Sequence, residues 1–314
     1  MHSDDAGMTW SEPIDISLEP TGAAKPQLLI DEQDNLHAVW EFGQGGGLGQ
    51  LLDPKGAMYA ASYDGGATWV PPQKFLTTAG HNKNITLGMA GNQQLVMVWW
   101  SIPDDVVYYQ TSSDRGRSWA APRPLPGVVG YWAVHQGKLD DYALATDSAG
   151  DAHLVMVGRL NKEQKTLSLL HLSWDGARWS QPEVIATYAG DVPEWPRIAI
   201  GNGNQLHIVW FVRNKADVFK GGGDYKVWYA RGASNAPTIP SVALPEPTPT
   251  TAPIVIVQTT PTTTPVPTFG NPPSSVTLGE LQSETARLLF VAQNLIPSLA
   301  LLAVVALVVW WRRR

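Results

Sequence analysis

A turn-forming pattern, Ser-x-Asp-x-Gly-x-Thr/Ser-Trp, returns in register with the hydrophobic runs on either side of it. Ser3-Asp4-Asp5-Ala6-Gly7-Met8-Thr9-Trp10, Ser62-Tyr63-Asp64-Gly65-Gly66-Ala67-Thr68-Trp69 and Ser112-Ser113-Asp114-Arg115-Gly116-Arg117-Ser118-Trp119 match it at every fixed position. Ser173-Trp174-Asp175-Gly176-Ala177-Arg178-Trp179 is one residue shorter and carries Arg178 in place of the Thr/Ser. The aspartates Asp5, Asp64, Asp114 and Asp175 lie 59, 50 and 61 residues apart, so one supersecondary unit recurs. Units of that length suit a four-stranded propeller blade.

The residue types explain the turn. An Asp carboxylate accepts hydrogen bonds from backbone N–H groups just downstream, and Gly supplies the positive φ. The hydroxyls satisfy further turn groups, and the closing Trp plugs the hairpin from below. On these residues the chain resembles the Asp-box, or BNR, repeats of the sialidase (neuraminidase) superfamily of β-propellers. The resemblance implies that each box joins the third and fourth strands of a blade on the face opposite the active site. Ser3, Asp5, Gly7 and Trp10, with Ser62, Asp64, Gly66 and Trp69, Ser112, Asp114, Gly116 and Trp119, and Ser173, Asp175 and Trp179, are therefore read as structural.

Between the boxes each unit has the same grammar. A first strand (Gln27–Ile30, Ile85–Met89, Tyr142–Thr146, Arg197–Ile200) leads through a Gly/Asn/Asp turn into a second (Leu36–Trp40, Leu95–Trp100, His153–Val157, Leu206–Phe211). Third strands follow at Met58–Ala61, Val107–Thr111, Leu167–Leu172 and Val227–Arg231. Asn202-Gly203-Asn204 and Gly221-Gly222-Gly223 read as turns. The last unit lacks a box and a fourth strand, whereas the N-terminus offers a box followed by the alternating Ile14-Asp15-Ile16-Ser17. The two ends are expected to form one blade, with Thr9–Ser17 beside Val227–Arg231, because closure removes exposed sheet edges. That gives an all-β propeller of four antiparallel blades. The six blades of the sialidase family imply instead further blades upstream of Met1. The second reading is preferred, since an anchored ectodomain needs a signal peptide and no charged and apolar leader opens this sequence.

Composition sorts the rest of the chain. Residues 1–235, which hold 12 of the 14 Trp, are the propeller, and 236–278 form a Pro/Thr/Ser-rich stalk that cannot bury a core. Residues 279–287 are juxtamembrane. Leu288–Trp311 spans 24 residues broken only by Gln293, Asn294, Pro297 and Ser298, at about 1.5 Å per residue long enough for a bilayer. Arg312–Arg314 then places the C-terminus in the cytoplasm and the propeller outside a cell membrane crossed once. The absence of Cys excludes disulfides and thiolate metal sites. A net charge of −6, with no basic run outside the last three residues, speaks against nucleic acid. Neither a cofactor nor a metal is expected.

In the resembled family three arginines clamp a sialic-acid carboxylate, a Tyr/Glu pair supplies the nucleophile and an Asp acts as acid/base. A bidentate guanidinium suits an anionic sugar, and a carboxylate beside a Tyr hydroxyl makes it nucleophilic. The family's Phe/Tyr-Arg-Ile-Pro motif is missing here. The face opposite the boxes should gather Tyr131, Trp132, His135, Asp140, Asp141 and Tyr142 from one unit, and Tyr188, Asp191, Glu194, Trp195 and Arg197 from the next. Arg159 and Arg213 each follow a second-strand His by six residues and should emerge at one height on neighbouring blades. Arg159, Arg197, Arg213, Trp132 and Trp195 are thus the ligand-binding candidates, and Tyr188, Glu194 and Asp141 the catalytic ones. His37, His153 and His207 share one position on the second strand and read as packing. Two functions follow: a surface propeller that binds a glycan, such as an acidic one, or a surface protein, and an exo-α-sialidase or related glycosidase.

Overall fold

The computed structural model describes residues 2–3, 5, 7–18, 22–44, 53–75, 82–102, 104–130, 142–214, 216 and 225–240. Its strands fall into four antiparallel sheets, each following chain order from the inner strand outward. Blade one is β1 (Gly22–Ile30), β2 (Leu36–Gln44), β3 (Asp53–Ser62) and β4 (Gln73–Phe75); blade two is β5 (Asn82–Ala90), β6 (Gln94–Ser101), β7 (Val106–Ser112) and β8 (Arg123–Pro124). Blade three is β9 (Tyr142–Thr146), β10 (Ala152–Gly158), β11 (Leu167–Trp174) and β12 (Glu183–Tyr188); blade four has three strands, β13 (Asp191–Gly201), β14 (Gln205–Asn214) and β15 (Tyr225–Ala233). No α-helix occurs among these residues. The stalk from residue 241 on, the juxtamembrane segment, Leu288–Trp311 and the arginine tail lie outside them, and no described helix is long and apolar enough to cross a membrane.

The second strands of blades two and three are apolar on both faces because each is sandwiched between blades, as in Leu154, Val155, Met156 and Val157, all at most 1% exposed. Val39, Tyr59 and Phe75 pack on Ile85, Leu87 and Met97 between blades one and two. Val98, Trp100 and Tyr109 meet Tyr142, Leu154 and Trp174 between blades two and three. Val155, Val157 and Leu169 meet Ile208, Trp210 and Val212 between blades three and four. Among the described residues no core cluster joins blade four to blade one.

Every Ser-Asp turn is built as its residues dictate. Ser62 Oγ donates to Asp64 Oδ1 at 2.8 Å while accepting the Gly66 N–H at 2.8 Å; Thr68 N–H and Oγ1–H reach the two carboxylate oxygens at 2.9 and 2.5 Å. Asp114 and Asp5 make the same set with Ser118 and Thr9. In the shortened copy Asp175 accepts the N–H groups of Ala177 and Arg178 and the Arg178 Nε–H. The donors hold the carboxyls of Asp5, Asp64 and Asp114 at about 2, below 3.8. A depressed native pKa means that the unfolded chain binds more protons in this window. The resulting stability is complete above about pH 4 and is lost as the pH falls through about 2. Thermal melts between pH 2 and 6 should show this slope, and the double variant Asp64→Asn/Asp114→Asn should flatten it.

The recurrent histidines tie the first hairpin of a blade to its third strand. His37 faces Asp31 through Nε2 at 3.4 Å and the Tyr59 hydroxyl through Nδ1 at 2.8 Å. His153 lies between Asp147 at 3.1 Å and His171 at 2.9 Å, and His171 reaches Glu183 at 3.2 Å. Burial pushes His171 down, against the pull of Glu183. His207 meets the Tyr229 hydroxyl at 2.8 Å.

The closure expected from the two chain ends is not formed. Residues 9–17 contain no strand, and among the described residues β15 pairs only with β14, leaving Val227 81% exposed. Two sets of contacts account for this. Ile16 packs beside Trp69 on the Trp40, Phe42 and Met58 face of blade one, at the far end of the blade series. Beyond β15 the chain turns inward: Ser234 Oγ donates to Asp147 at 2.6 Å, and Ile239 N–H to Asn202 O at 2.8 Å.

Candidate functional site

The β3–β4 turns and the β1–β2 hairpin share one end of a blade, so the start of every inner strand lies at the opposite end. Three of the four inner strands carry a β-bulge there, between Ala24 and Gln27 in β1, Lys83 and Thr86 in β5, and Glu194 and Arg197 in β13. In each the residue after the first bulge position has positive φ: Lys25 at 52°, Asn84 at 56° and Trp195 at 46°. None is Gly, so each costs about 1–2 kcal/mol of backbone strain that the surrounding contacts must offset. A bulge bends the strand and re-aims the side chain.

On blades one and two the bulges are stapled together. Lys25 Nζ lies 3.4 Å from Glu41 Oε1 and 3.2 Å from Asn84 Oδ1, and the Asn84 backbone N–H donates to Glu41 Oε1 at 2.6 Å. Thr86 Oγ1 donates to Gln27 Oε1 at 2.9 Å, and Gln27 Nε2 to Ile85 O at 3.2 Å. The Asn84 side-chain amide is buried, with no acceptor for Nδ2 among the described residues. Sequence reasoning missed this group. Pro26, which cannot donate to a ladder, was the available signal.

On blade four Glu194 is fully buried and takes Arg213 on both oxygens, Nε to Oε1 at 2.7 Å and Nη2 to Oε2 at 2.6 Å. The guanidinium carbon stands 5.4 Å from the Tyr225 ring and 6.0 Å from that of Phe211. Burial pushes the Glu194 carboxyl up, opposed by the two bonds from Arg213, while the carboxylate raises Arg213. One Arg213 bond on each oxygen fixes the plane and orientation of the carboxylate. Trp195 stands edge-on to Phe211, ring centres 5.1 Å apart, and is 43% exposed.

The other candidates are distributed as follows. Arg159 holds Asp105 at 2.7 Å and the carbonyls of Gly130 and Lys162, bridging blades two and three. Arg197 donates to Pro196 O at 2.9 Å. Arg213 and Arg197 share blade four but sit at different heights, opposite Val192 and Val209. The Tyr188 hydroxyl accepts the Trp210 indole N–H at 2.8 Å, and burial pushes it up. Trp132 and Asp141, with Tyr131, His135 and Asp140, lie outside the described residues. Among the described residues no group of His, Asp and Glu could hold a metal.

Two cavities of about 170 Å³ lie elsewhere, beside the Ser-Asp turns. One is lined by Tyr59, Tyr63 and Arg117, and its equivalent one blade on by Tyr109, Arg123 and Trp174.

No family model and no curated protein matches the chain. Among solved structures it is similar to a Dyadobacter fermentans protein of unknown function, with 16% identity and TM-score 0.49 over 68% of this chain and 66% of that one. It is also similar to the Penicillium chrysogenum alpha-L-arabinanase complexed with arabinobiose (16%, 0.49, 67% and 62%). A third is the NanB sialidase of Streptococcus pneumoniae (14%, 0.45, 66% and 31%). The chain thus spans less than two thirds of the length of these structures.

Proposed function

We propose that this chain is a sialidase-like Asp-box propeller, held outside the cell by Leu288–Trp311, whose face opposite the boxes binds an acidic glycan without turning it over. The observation that carries this reading is the pairing of Glu194 with Arg213. A carboxylate fixed on both oxygens serves as scaffold, while the adjoining Trp195, 43% exposed, offers aromatic surface to the apolar face of a sugar. Arg197, from the same bulge, supplies charge for an anionic group. An exo-α-sialidase or related glycosidase is the second reading, favoured by the clustering of Tyr225, Arg213 and Glu194, a Tyr, an Arg and a Glu on one blade.

A glycan array probed with the full-length chain in detergent should give acidic-sugar binding. Trp195→Ala and Arg197→Ala should each weaken it about tenfold or more, at about 1.4 kcal/mol per factor of ten. A fluorogenic sialoside should remain uncleaved. Cleavage that Tyr225→Phe abolishes would replace binding with catalysis, and an array without a hit would shift the reading to a protein ligand. Protease shaving of intact cells should release residues 1–235; release only after lysis would reverse the topology.

A further inference from the structure

Consecutive blades are joined by a repeated aromatic contact. The third strand of one blade offers a Tyr, and the Trp closing the next blade's turn stands edge-on to it: Tyr59 with Trp119, 5.1 Å and 80°, and Tyr109 with Trp179, 5.7 Å and 79°. At the first junction the seat is deep. Tyr59 is 2% exposed and Gly116 lies against its hydroxyl so closely that a Cβ there would come within 1.7 Å.

Blade four repeats the seat without an occupant among the described residues. Tyr229 pairs with Val209 as Tyr59 pairs with Val39. The His207 and Tyr229 rings stack at 6.1 Å and 22°, as His37 and Tyr59 do at 6.1 Å and 17°. Yet Tyr229 is 55% exposed, and Val209 and Val227 beside it are 42% and 81% exposed. At the other end of the blade series the Ser3–Trp10 turn has its full hydrogen-bond set, and its Trp10 is 60% exposed. Trp69, by contrast, is packed into its own blade's face with Ile16.

We propose that the open face of blade four is an interface for a second copy of this chain, whose Ser3–Trp10 turn seats Trp10 on Tyr229. The occupant follows from the inventory. A Tyr seat that elsewhere takes the Trp of such a turn stands open, and among the described residues Trp10 is the most exposed of the four turn tryptophans. The contact is heterologous, one end of a molecule on the other end of its neighbour, so association extends into chains or closes into a ring.

The chain has no Cys, which makes directed cross-linking clean. Arg117 of blade two lies 4.3 Å over the ring of Tyr63 of blade one, and Met8 and Ala233 occupy the equivalent positions of turn and seat. Full-length Met8→Cys and Ala233→Cys variants, differently tagged and mixed in detergent under mild oxidation, should form a mixed disulfide at least tenfold faster than Met8→Cys with Gln181→Cys. Adding Tyr229→Ala to the Ala233→Cys chain should remove that advantage. A rate no better than the control overturns the proposal. So does a cross-link formed only within the Met8→Cys/Ala233→Cys double variant at high dilution, which would assign the seat to the same chain's turn. Sedimentation showing a monomer at all concentrations would overturn it as well.

Discussion

Gly116→Ala is expected to lower the stability of the propeller by about 3 kcal/mol or more, while Gly65→Ala, one turn earlier, should cost only about 1–2 kcal/mol. Both glycines have positive φ, 78° and 69°, so alanine brings backbone strain at either position. They differ in surroundings. A Cβ on Gly65 meets nothing within 4 Å, whereas one on Gly116 falls 1.7 Å from the Tyr59 hydroxyl and 2.5 Å from its ring carbon. The Tyr59 ring has nowhere to go, being packed edge-on to Phe75 and Trp119 and bonded to His37. Overpacking of this kind costs about 1–3 kcal/mol beyond the strain. Denaturant titration of the two variants side by side measures the difference. Equal losses would mean that Tyr59 moves freely and that the junction between blades one and two is soft.

Glu194→Ala should be comparably damaging, at about 3–5 kcal/mol, because it leaves the Arg213 guanidinium buried beside Phe211 and Tyr225 without its carboxylate. Arg213→Ala should cost a similar amount by stranding Glu194. The pair Glu194→Leu/Arg213→Met removes both charges and should recover most of the loss, since the two desolvation penalties disappear with the bond. Thermal or denaturant unfolding of the three variants closes the cycle. If the double variant is as unstable as the sum of the singles, the pair holds β13 and β14 by more than charge. Binding gives a second readout: the double variant, if folded, should lose the orientation of Trp195 and with it glycan affinity.

The blades were legible in the sequence because their signals are local. Strict spacing of Ser, Asp, Gly and Trp set the turns, and runs such as Leu95–Trp100 could be buried only in a layered sheet. The bulges were not, because Lys25, Asn84 and Trp195 adopt a backbone that neither their residue types nor the periodicity announces. The Glu194–Arg213 bond escaped for a related reason. Arg213 was placed by counting from His207, which gives its height on the strand but not the carboxylate across the ladder. Closure failed because matching missing parts says what two ends contain, and not where Ile16 and Ser234 hold them.

The route taken by residues 234–240 gives the fold a mechanical character. A pull applied beyond Pro240 does not reach the free edge of β15 first. It is met by Ser234 on Asp147, Ser148 on the Pro237 carbonyl, Asn204 on the Ala236 carbonyl and Ile239 on Asn202, contacts that spread over the inner hairpins of blades three and four. Bonds loaded together share a force that a peeled strand would take one at a time. A tether attached at this end would therefore grip two blades at once, and the first element to yield under tension would be the 234–240 clasp, with β15 following only after it opens.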